Sequence, residues 1–298
     1  MRLFFGGRGI VMPLKFANMD MAPSLKGIWL DAFPEDSAGD VDFFFARMLR
    51  PDRCAVWLED GRPVSMTFLL PAELITADGG RYSLRYVYAA STLTEYRGRG
   101  LFGSLLTGVR ELLRDRGVDA LFLRPARPGL FTYYSRFGFK PYFYNVTENI
   151  AAEERNGSRR EPAGNAGMHE KEAEGRNSLL KGYPAWVKWP DELVSYAAIQ
   201  AEKYGGAVIS ADGGWCLCEP ADGGLFAREW LCREDAREKL ITAVANRFPA
   251  SGITLRRPAR PGEALKEAFG MVCPLTEDAA DRIDGYRNAF PYMGLAFD

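Results

Sequence analysis

The sequence contains a single histidine, His169, among 298 residues. Histidine is the side chain that enzymes use most often for general acid–base catalysis, so we expect a mechanism that does without it. The cysteines form no C-x-x-C pair, which argues for reduced, buried thiols and against a zinc site. They are Cys54, Cys216, Cys218, Cys232 and Cys273.

Positive and negative charges are nearly balanced, with 38 Lys and Arg residues and 39 Asp and Glu residues. A balanced surface argues against a nucleic-acid partner, which would select a basic face. No apolar run approaches the length of a membrane span, and the first apolar residues, MRLFFGGRGIV, are interrupted by arginine and glycine. We therefore expect a cytoplasmic protein without nucleic-acid or membrane partners.

The segment Tyr96–Leu106, YRGRGLFGSLL, is the most informative part of the chain. It follows a strand-like run, Tyr82–Thr92, and opens a helix-like run that ends near Gly117. Its glycines are Gly98, Gly100 and Gly103. A helix N-terminus with bare backbone and no acid in its first turn binds anions well, so the segment predicts a pyrophosphate cradle. Arg97 and Arg99 would add positive charge.

Several nucleotide motifs share such glycines. A Walker loop needs Lys-Ser/Thr after them, which Gly103-Ser104-Leu105 does not supply. The dinucleotide pattern G-x-G-x-x-G is present, but the preceding strands form hairpins and not a βαβ unit. An ordinary glycine turn before an amphipathic helix is the remaining structural alternative.

The segment resembles the acetyl-CoA loop of GCN5-related N-acetyltransferases, whose pattern is R/Q-x-x-G-x-G/A after a strand. Arg97, Gly98, Arg99, Gly100 and Leu101 match that pattern. Phe102 departs from it, because the family usually has Gly or Ala there.

A second motif of the same family follows. Tyr134-Ser135-Arg136-Phe137-Gly138-Phe139 resembles its Y-x-x-x-G-F pattern, and the two motifs occur in the family's order. The proline-rich loop Arg124–Gly129 stands where many members carry Asn. This version resembles the enhanced-intracellular-survival-type acetyltransferases, which have more than one domain.

The order of predicted elements favours an α+β fold, and the resemblance implies tandem GNAT-like domains, each with a mixed, mostly antiparallel sheet flanked by helices. Residues 1–150 would form the catalytic domain, 151–177 a flexible polar linker, and 178–298 a degenerate second domain. Two helical segments around Trp186 and Trp189 and a final strand Tyr292–Asp298 are expected in the second domain.

A repeat supports the second domain. RPARPG occurs at Arg124–Gly129 and at Arg257–Gly262, each time after a short apolar strand. Each copy is predicted to precede a short helix that ends in Phe-Gly, at Phe137-Gly138 and at Phe269-Gly270. Internal repetition usually reflects duplicated structure, although coincidence within an unrelated α+β domain is an alternative. No glycine-rich turn opens the helix predicted at Arg233.

The resemblance implies acetyl transfer from acetyl-CoA to the amine of a small-molecule or peptide acceptor. The implied cofactor-binding residues are Ala90, Ser91, Thr92, Arg97, Gly98, Arg99, Gly100, Leu101, Phe102 and Gly103. The end of the strand would pair with pantetheine and polarise the thioester carbonyl. Tyr134 would be the general acid, Glu73 is a guess for the base, and Asp298 would bring the terminal carboxylate to the site.

Two other functions fit the same residues. One is a non-catalytic acyl-CoA-binding sensor or scaffold with the same fold, which Phe102 favours. The other is a relative that transfers aminoacyl or peptidyl groups, which the balanced charge argues against because such a protein would present a basic face to tRNA.

Overall fold

A computed structural model describes residues 13–151, 172–249, 252–260, 262–263 and 267–297. The strands are β1 (Leu14–Phe16), β2 (Cys54–Glu59), β3 (Arg62–Thr76), β4 (Arg81–Thr92), β5 (Ala120–Leu123), β6 (Lys140–Ile150), β7 (Ala185–Lys188), β8 (Ala207–Ala211), β9 (Gly214–Ala221), β10 (Gly224–Cys232), β11 (Gly252–Arg257) and β12 (Glu267–Pro274). The α-helices are α1 (Ala22–Ala32), α2 (Ala38–Met48), α3 (Leu101–Arg114), α4 (Gly129–Ser135), α5 (Glu172–Leu179), α6 (Asp191–Lys203), α7 (Arg237–Arg247) and α8 (Glu277–Asp284).

The first half delivers three antiparallel strands to the glycine segment, as the sequence predicts. β2 and β3 are joined by a turn in which Asp60 and Gly61 both have positive φ, 49° and 78°, the conformation of a tight hairpin. β3 pairs antiparallel with β4, and α3 then carries the chain to β5, which is parallel to β4. α3 buries one face, formed by Leu105, Leu106, Val109 and Leu113, against this sheet.

The second half repeats this arrangement. β8, β9 and β10 are consecutive antiparallel strands, and α7 leads from β10 to β11, which is parallel to β10. The matching order of strands and helix agrees with the duplication that the RPARPG repeat predicts. The predicted fold class, a mixed and mostly antiparallel sheet flanked by helices, is confirmed.

The two halves exchange a strand each. β12, from the second half, lies between β5 and β6, whereas β6, from the first half, continues to β11. The strand order is β1-β2-β3-β4-β5-β12-β6-β11-β10-β9-β8, with β7 on β3, so one sheet runs through both halves. The division at residues 150 and 178 stays a prediction.

Three local predictions are wrong. Phe269 and Gly270 lie inside β12, because the segment pairs with β5 and β6 and does not close a helix. Trp186 lies in β7, which pairs with β3, and only the segment after Trp189 is helical. Tyr292–Phe297 is not a strand, since it makes one isolated bridge, from Tyr292 to Trp186.

The largest core cluster contains residues from both halves. It joins Trp29 and Phe44 of the first two helices to Trp189, Tyr196 and Phe297 of the second half. Among the described helices, none has the length and apolar character that crossing a membrane requires.

Candidate active site

The glycine segment makes an uncapped helix start. Gly98 and Gly100 have φ of 77° and 75°, in the left-handed region that glycine adopts without strain. Gly100 is the residue before α3, no side chain caps it, and the first turn of α3 contains no acid. The first N–H groups of α3 therefore have no side-chain cap and no acid within their own turn, which is an arrangement that can bind phosphate.

A cleft of about 300 Å³ opens at this helix start. Seven of the ten predicted cofactor residues line it, the exceptions being Ala90, Ser91 and Arg99, and Tyr96 and Tyr133 complete its walls. Phe102 lines the cleft but also packs partly buried against the core beneath α3. Its bulk is therefore accommodated without closing the cleft.

The two arginines hold the loop in place. The Nε of Arg97 donates to the carbonyl oxygen of Thr92 at 2.9 Å, and its guanidinium lies 3.5 Å from the carboxylate of Asp31 at the end of α1. Arg99 donates to the carbonyl oxygen of Glu95 at 3.0 Å and stacks over the ring of Tyr96. The prediction that these side chains are available for charge neutralisation is therefore incomplete, because both already have partners within the protein.

β4 and β5 diverge beside the cleft. They pair only through Leu84–Tyr86 and 120–122, so the remainder of β4, residues 87–92, has no strand on that edge within the described part of the chain. Such an edge can accept an extended ligand as an extra strand. Ala90, Ser91 and Thr92, the predicted pantetheine residues, lie on it.

A bulge interrupts β4 at the same place. The register against β3 shifts between Tyr88 and Ser91, and Ala89 has a φ of 48°, which is uncommon for a residue other than glycine. A bulge leaves a residue without a partner on the neighbouring strand, and this one lies within the stretch of β4 that also lacks pairing with β5. No residue type marks this feature, because Ala89-Ala90 is compatible with an ordinary strand.

Tyr134 lies on α4, with its ring packed against the core beneath α3. Its ring centroid is 5.3 Å from that of Tyr133 and 5.8 Å from that of Phe139. Burial, reinforced by the neighbouring Tyr133, raises the pKa of Tyr134 to about 12. The phenol is therefore protonated at neutral pH and can donate a hydrogen bond. Tyr133 is the one of the two tyrosines that lines the cleft.

The structure tests only one of the two carboxylates predicted to act at the site, Glu73 and Asp298. Glu73 is wrong as a catalytic base, because it forms ion pairs with Arg81 at 2.7 Å and Lys188 at 3.6 Å and pairs with Ser83 near the start of β4. Nine residues of strand separate Ser83 from Thr92, a distance of roughly 30 Å. Asp298 lies outside the described residues.

A second pocket, of about 160 Å³, lies between the two halves of the sequence. Its aromatic residues are Trp29, Phe44, Tyr88, Tyr196, Tyr204 and Phe297, and its charged residues are Asp36, Asp40, Glu219 and Arg228. Tyr88 precedes the bulge at Ala89, so the pocket lies beside that bulge. Phe44 both lines this pocket and packs in the hydrophobic core.

Most of the charges in this pocket are paired. Burial acts to raise the pKa of Asp40, but hydrogen bonds from Lys203, Ser37 and Tyr204 outweigh it and lower the pKa to about 2. Glu219 accepts two hydrogen bonds from Arg228, at 2.9 and 3.0 Å. Asp36 accepts from the indole of Trp29 at 2.6 Å and has no cationic partner among the described residues.

Residues 15–142 match the family model of the acetyltransferase (GNAT) domain. Among solved structures, the chain is similar to a GCN5-related N-acetyltransferase from Kribbella flavida, with 16% identity over 90% of this chain and 73% of that chain and a TM-score of 0.71. It is also similar to Eis1 from Mycobacterium abscessus, with 14% identity over 91% and 76% of the two chains and a TM-score of 0.69. Identities this low show a shared fold. No curated protein sequence matches the chain.

Proposed function

We propose that this chain, which carries a GNAT acetyltransferase domain over residues 15–142, is an N-acetyltransferase that transfers the acetyl group of acetyl-CoA to a primary amine. The observation that carries the proposal is the glycine-capped start of α3 beside the unpaired end of β4. The start of α3 would bind a pyrophosphate, and the unpaired end of β4 would bind an extended amide chain. CoA contains both groups, with the pyrophosphate followed by the pantetheine arm.

The residues would hold acetyl-CoA as follows. The N–H groups at the start of α3 bind the pyrophosphate, with the helix dipole adding attraction for the negative charge. The pantetheine arm lies along residues 87–92 of β4, which brings the thioester to the bulge at Ala89. The unpaired backbone N–H there polarises the thioester carbonyl.

The reaction is a direct transfer. The amine nitrogen attacks the thioester carbonyl carbon, the C–N bond forms, the C–S bond breaks, and the electron pair of that bond leaves on sulfur. The amine loses one proton, and the CoA thiolate gains one. Because the pKa of Tyr134 is about 12, above the ~8.5 of a free thiol, Tyr134 assists by donating a hydrogen bond to the leaving sulfur, while the proton balance is closed through solvent.

The binding test uses calorimetry with acetyl-CoA. Gly100→Glu places a bulky anion at the start of α3 and should abolish the binding that the wild type shows. Gly117→Glu is the matched control, because Gly117 has a φ of 72°, has open space around it and lies beyond the other end of α3. Binding that survives Gly100→Glu, or a folded wild type that does not bind, would refute the cradle.

Turnover separates an enzyme from a non-catalytic acyl-CoA sensor or scaffold. Thiol release from acetyl-CoA is followed with tyramine, spermidine and a peptide with a free N-terminus as acceptors. An enzyme releases thiol in proportion to amine, and Tyr134→Phe should lower kcat without changing acetyl-CoA affinity. Binding without amine-dependent release by any of the three would favour the sensor.

A further inference from the structure

The segment Tyr292–Phe297, called here the C-terminal segment, is buried although it belongs to no strand. Its first residue exchanges backbone hydrogen bonds with β7: the N–H of Tyr292 donates to Ala185 at 2.9 Å, and its carbonyl oxygen accepts from Val187 at 2.8 Å. The indole of Trp189 then donates to the carbonyl oxygen of Met293 at 2.9 Å. Side chains and β7 thus hold the first half of this segment.

A buried ion pair lies beneath the middle of the segment. Arg176 of α5 donates two hydrogen bonds of 2.8 Å to Glu229 of β10, and neither side chain is exposed. Arg176 also donates to the carbonyl oxygen of Val187 in β7, the strand that holds Tyr292. A buried charge left without its partner is costly, so the two side chains are held together at zero exposure.

Gly294 rests directly on this pair. Its φ is 69°, and a Cβ placed there would lie 2.2 Å from Nη2 of Arg176 and 2.2 Å from Oε1 of Glu229. Only glycine allows the backbone to approach both charged groups so closely. The pair therefore limits the path that the backbone can take at Gly294.

The segment ends in the second pocket. Beyond Gly294, the ring of Phe297 is surrounded by aromatic rings, with its centroid 5.4 Å from that of Trp189, 5.9 Å from that of Tyr88 and 6.0 Å from that of Tyr196. Phe297 lines the pocket beside the proposed thioester position. The path of the segment at Gly294 thus determines where one wall of that pocket stands.

We propose that Arg176 and Glu229 are positioning residues that hold the C-terminal segment at Gly294 and thereby shape the pocket that receives the acceptor amine. The role in turnover rests on the proposed acetyltransferase function, whereas the anchoring does not. Neither side chain touches the pocket itself, since both lie beneath the backbone. Their effect should therefore appear in acceptor binding and not in acetyl-CoA binding.

The test compares Gly294→Ala with Gly223→Ala. Both glycines have left-handed φ, 69° and 81°, but a Cβ at Gly223 meets nothing within 4 Å, so that control carries the same backbone strain without displacing anything. Glu229→Gln, which keeps the shape and removes the charge, is the second test variant should Gly294→Ala fail to fold. Hydrogen–deuterium exchange of the C-terminal peptide and steady-state kinetics are measured for each, with the best of the three acceptor amines as substrate.

We expect Gly294→Ala and Glu229→Gln to exchange faster at the C-terminal peptide and to raise KM for the amine at least about fivefold, with KM for acetyl-CoA within twofold of wild type. Gly223→Ala should match wild type in the exchange of the C-terminal peptide and in both KM values. Unchanged exchange in the test variants would overturn the anchoring, and an equal rise in both KM values would show a general loss of structure. Wild type without amine-dependent turnover would refute the proposed function, while the exchange data would still decide the anchoring.

Discussion

A chain of ring contacts runs from Gly103, in the cleft proposed to bind acetyl-CoA, to Tyr134. It lies in the first turn of α3, and a Cβ there would be 2.9 Å from Cε1 and 3.0 Å from Cζ of Phe137. The centroid of Phe137 is 5.3 Å from that of Tyr133, which is itself 5.3 Å from that of Tyr134. The substitution Gly103→Ala should therefore push the ring of Phe137 toward the tyrosines of α4.

The size of the effect follows from these distances. To restore an ordinary carbon–carbon contact of about 3.6 Å, the ring must move by roughly 0.7 Å. Alanine in a helix interior gains about 1 kcal/mol over glycine, while overpacking costs about 1–3 kcal/mol, so the net change in unfolding free energy should be a loss of about 0–2 kcal/mol. A displacement approaching 1 Å at a catalytic group can cost up to about a hundredfold in rate. We therefore expect kcat to fall about tenfold.

The assay measures kcat from thiol release and stability from urea unfolding. Gly108→Ala is the matched control: it lies on the same helix, and its Cβ would come within 2.4 Å of Cδ2 of Leu14 in β1, a residue outside the ring contacts that lead to Tyr134. It should lose stability and keep its kcat. Wild-type kcat in Gly103→Ala, or an equal loss of kcat in Gly108→Ala, would refute the proposed contact chain.

Three further predictions rest on charges. Arg176→Met should lower the unfolding free energy by about 3–5 kcal/mol, because it leaves Glu229 buried without its partner; a loss below about 1 kcal/mol in urea unfolding would contradict this. The pKa of Asp40 is lowered to about 2, so its contribution to stability is complete above pH ~4 and is lost as the pH falls toward 2. The Tm advantage of wild type over Asp40→Asn should therefore shrink across that window. A constant Tm advantage would argue against this role of Asp40. Because the pKa of Tyr134 is about 12, wild-type kcat should show no loss from phenol ionisation between pH 7 and 10, and a decline that Tyr134→Phe abolishes would contradict this assignment.

The parts of this protein that the sequence predicts are those fixed by local chemistry. Gly98 and Gly100 adopt left-handed φ, as their type and position suggest, and the apolar period of α3 identifies its buried face. The Asp60-Gly61 turn likewise sets the β2–β3 hairpin. In each case a few adjacent residues carry the whole signal.

The parts that the sequence does not predict depend on distant partners. The bulge at Ala89 arises from pairing with β3, and alanine carries no mark of it. Arg176 lies in a segment that resembles a polar linker in composition, and its burial depends on distant partners, Glu229 53 residues away and the carbonyl oxygen of Val187. The strand character of Phe269 and Gly270 likewise comes from β5 and β6 and not from their own composition.

The exchange of β6 and β12 has a consequence for synthesis on the ribosome. β5 is complete more than a hundred residues before its neighbour β12 is made, an interval on the order of ten seconds at typical elongation rates. During that time β5 and β6 expose unpaired strand edges, which are templates for pairing with other chains. The nascent chain therefore passes through a state in which the edges of β5 and β6 lack their neighbour, and that state ends only when β12, the last strand of the second half, has been made.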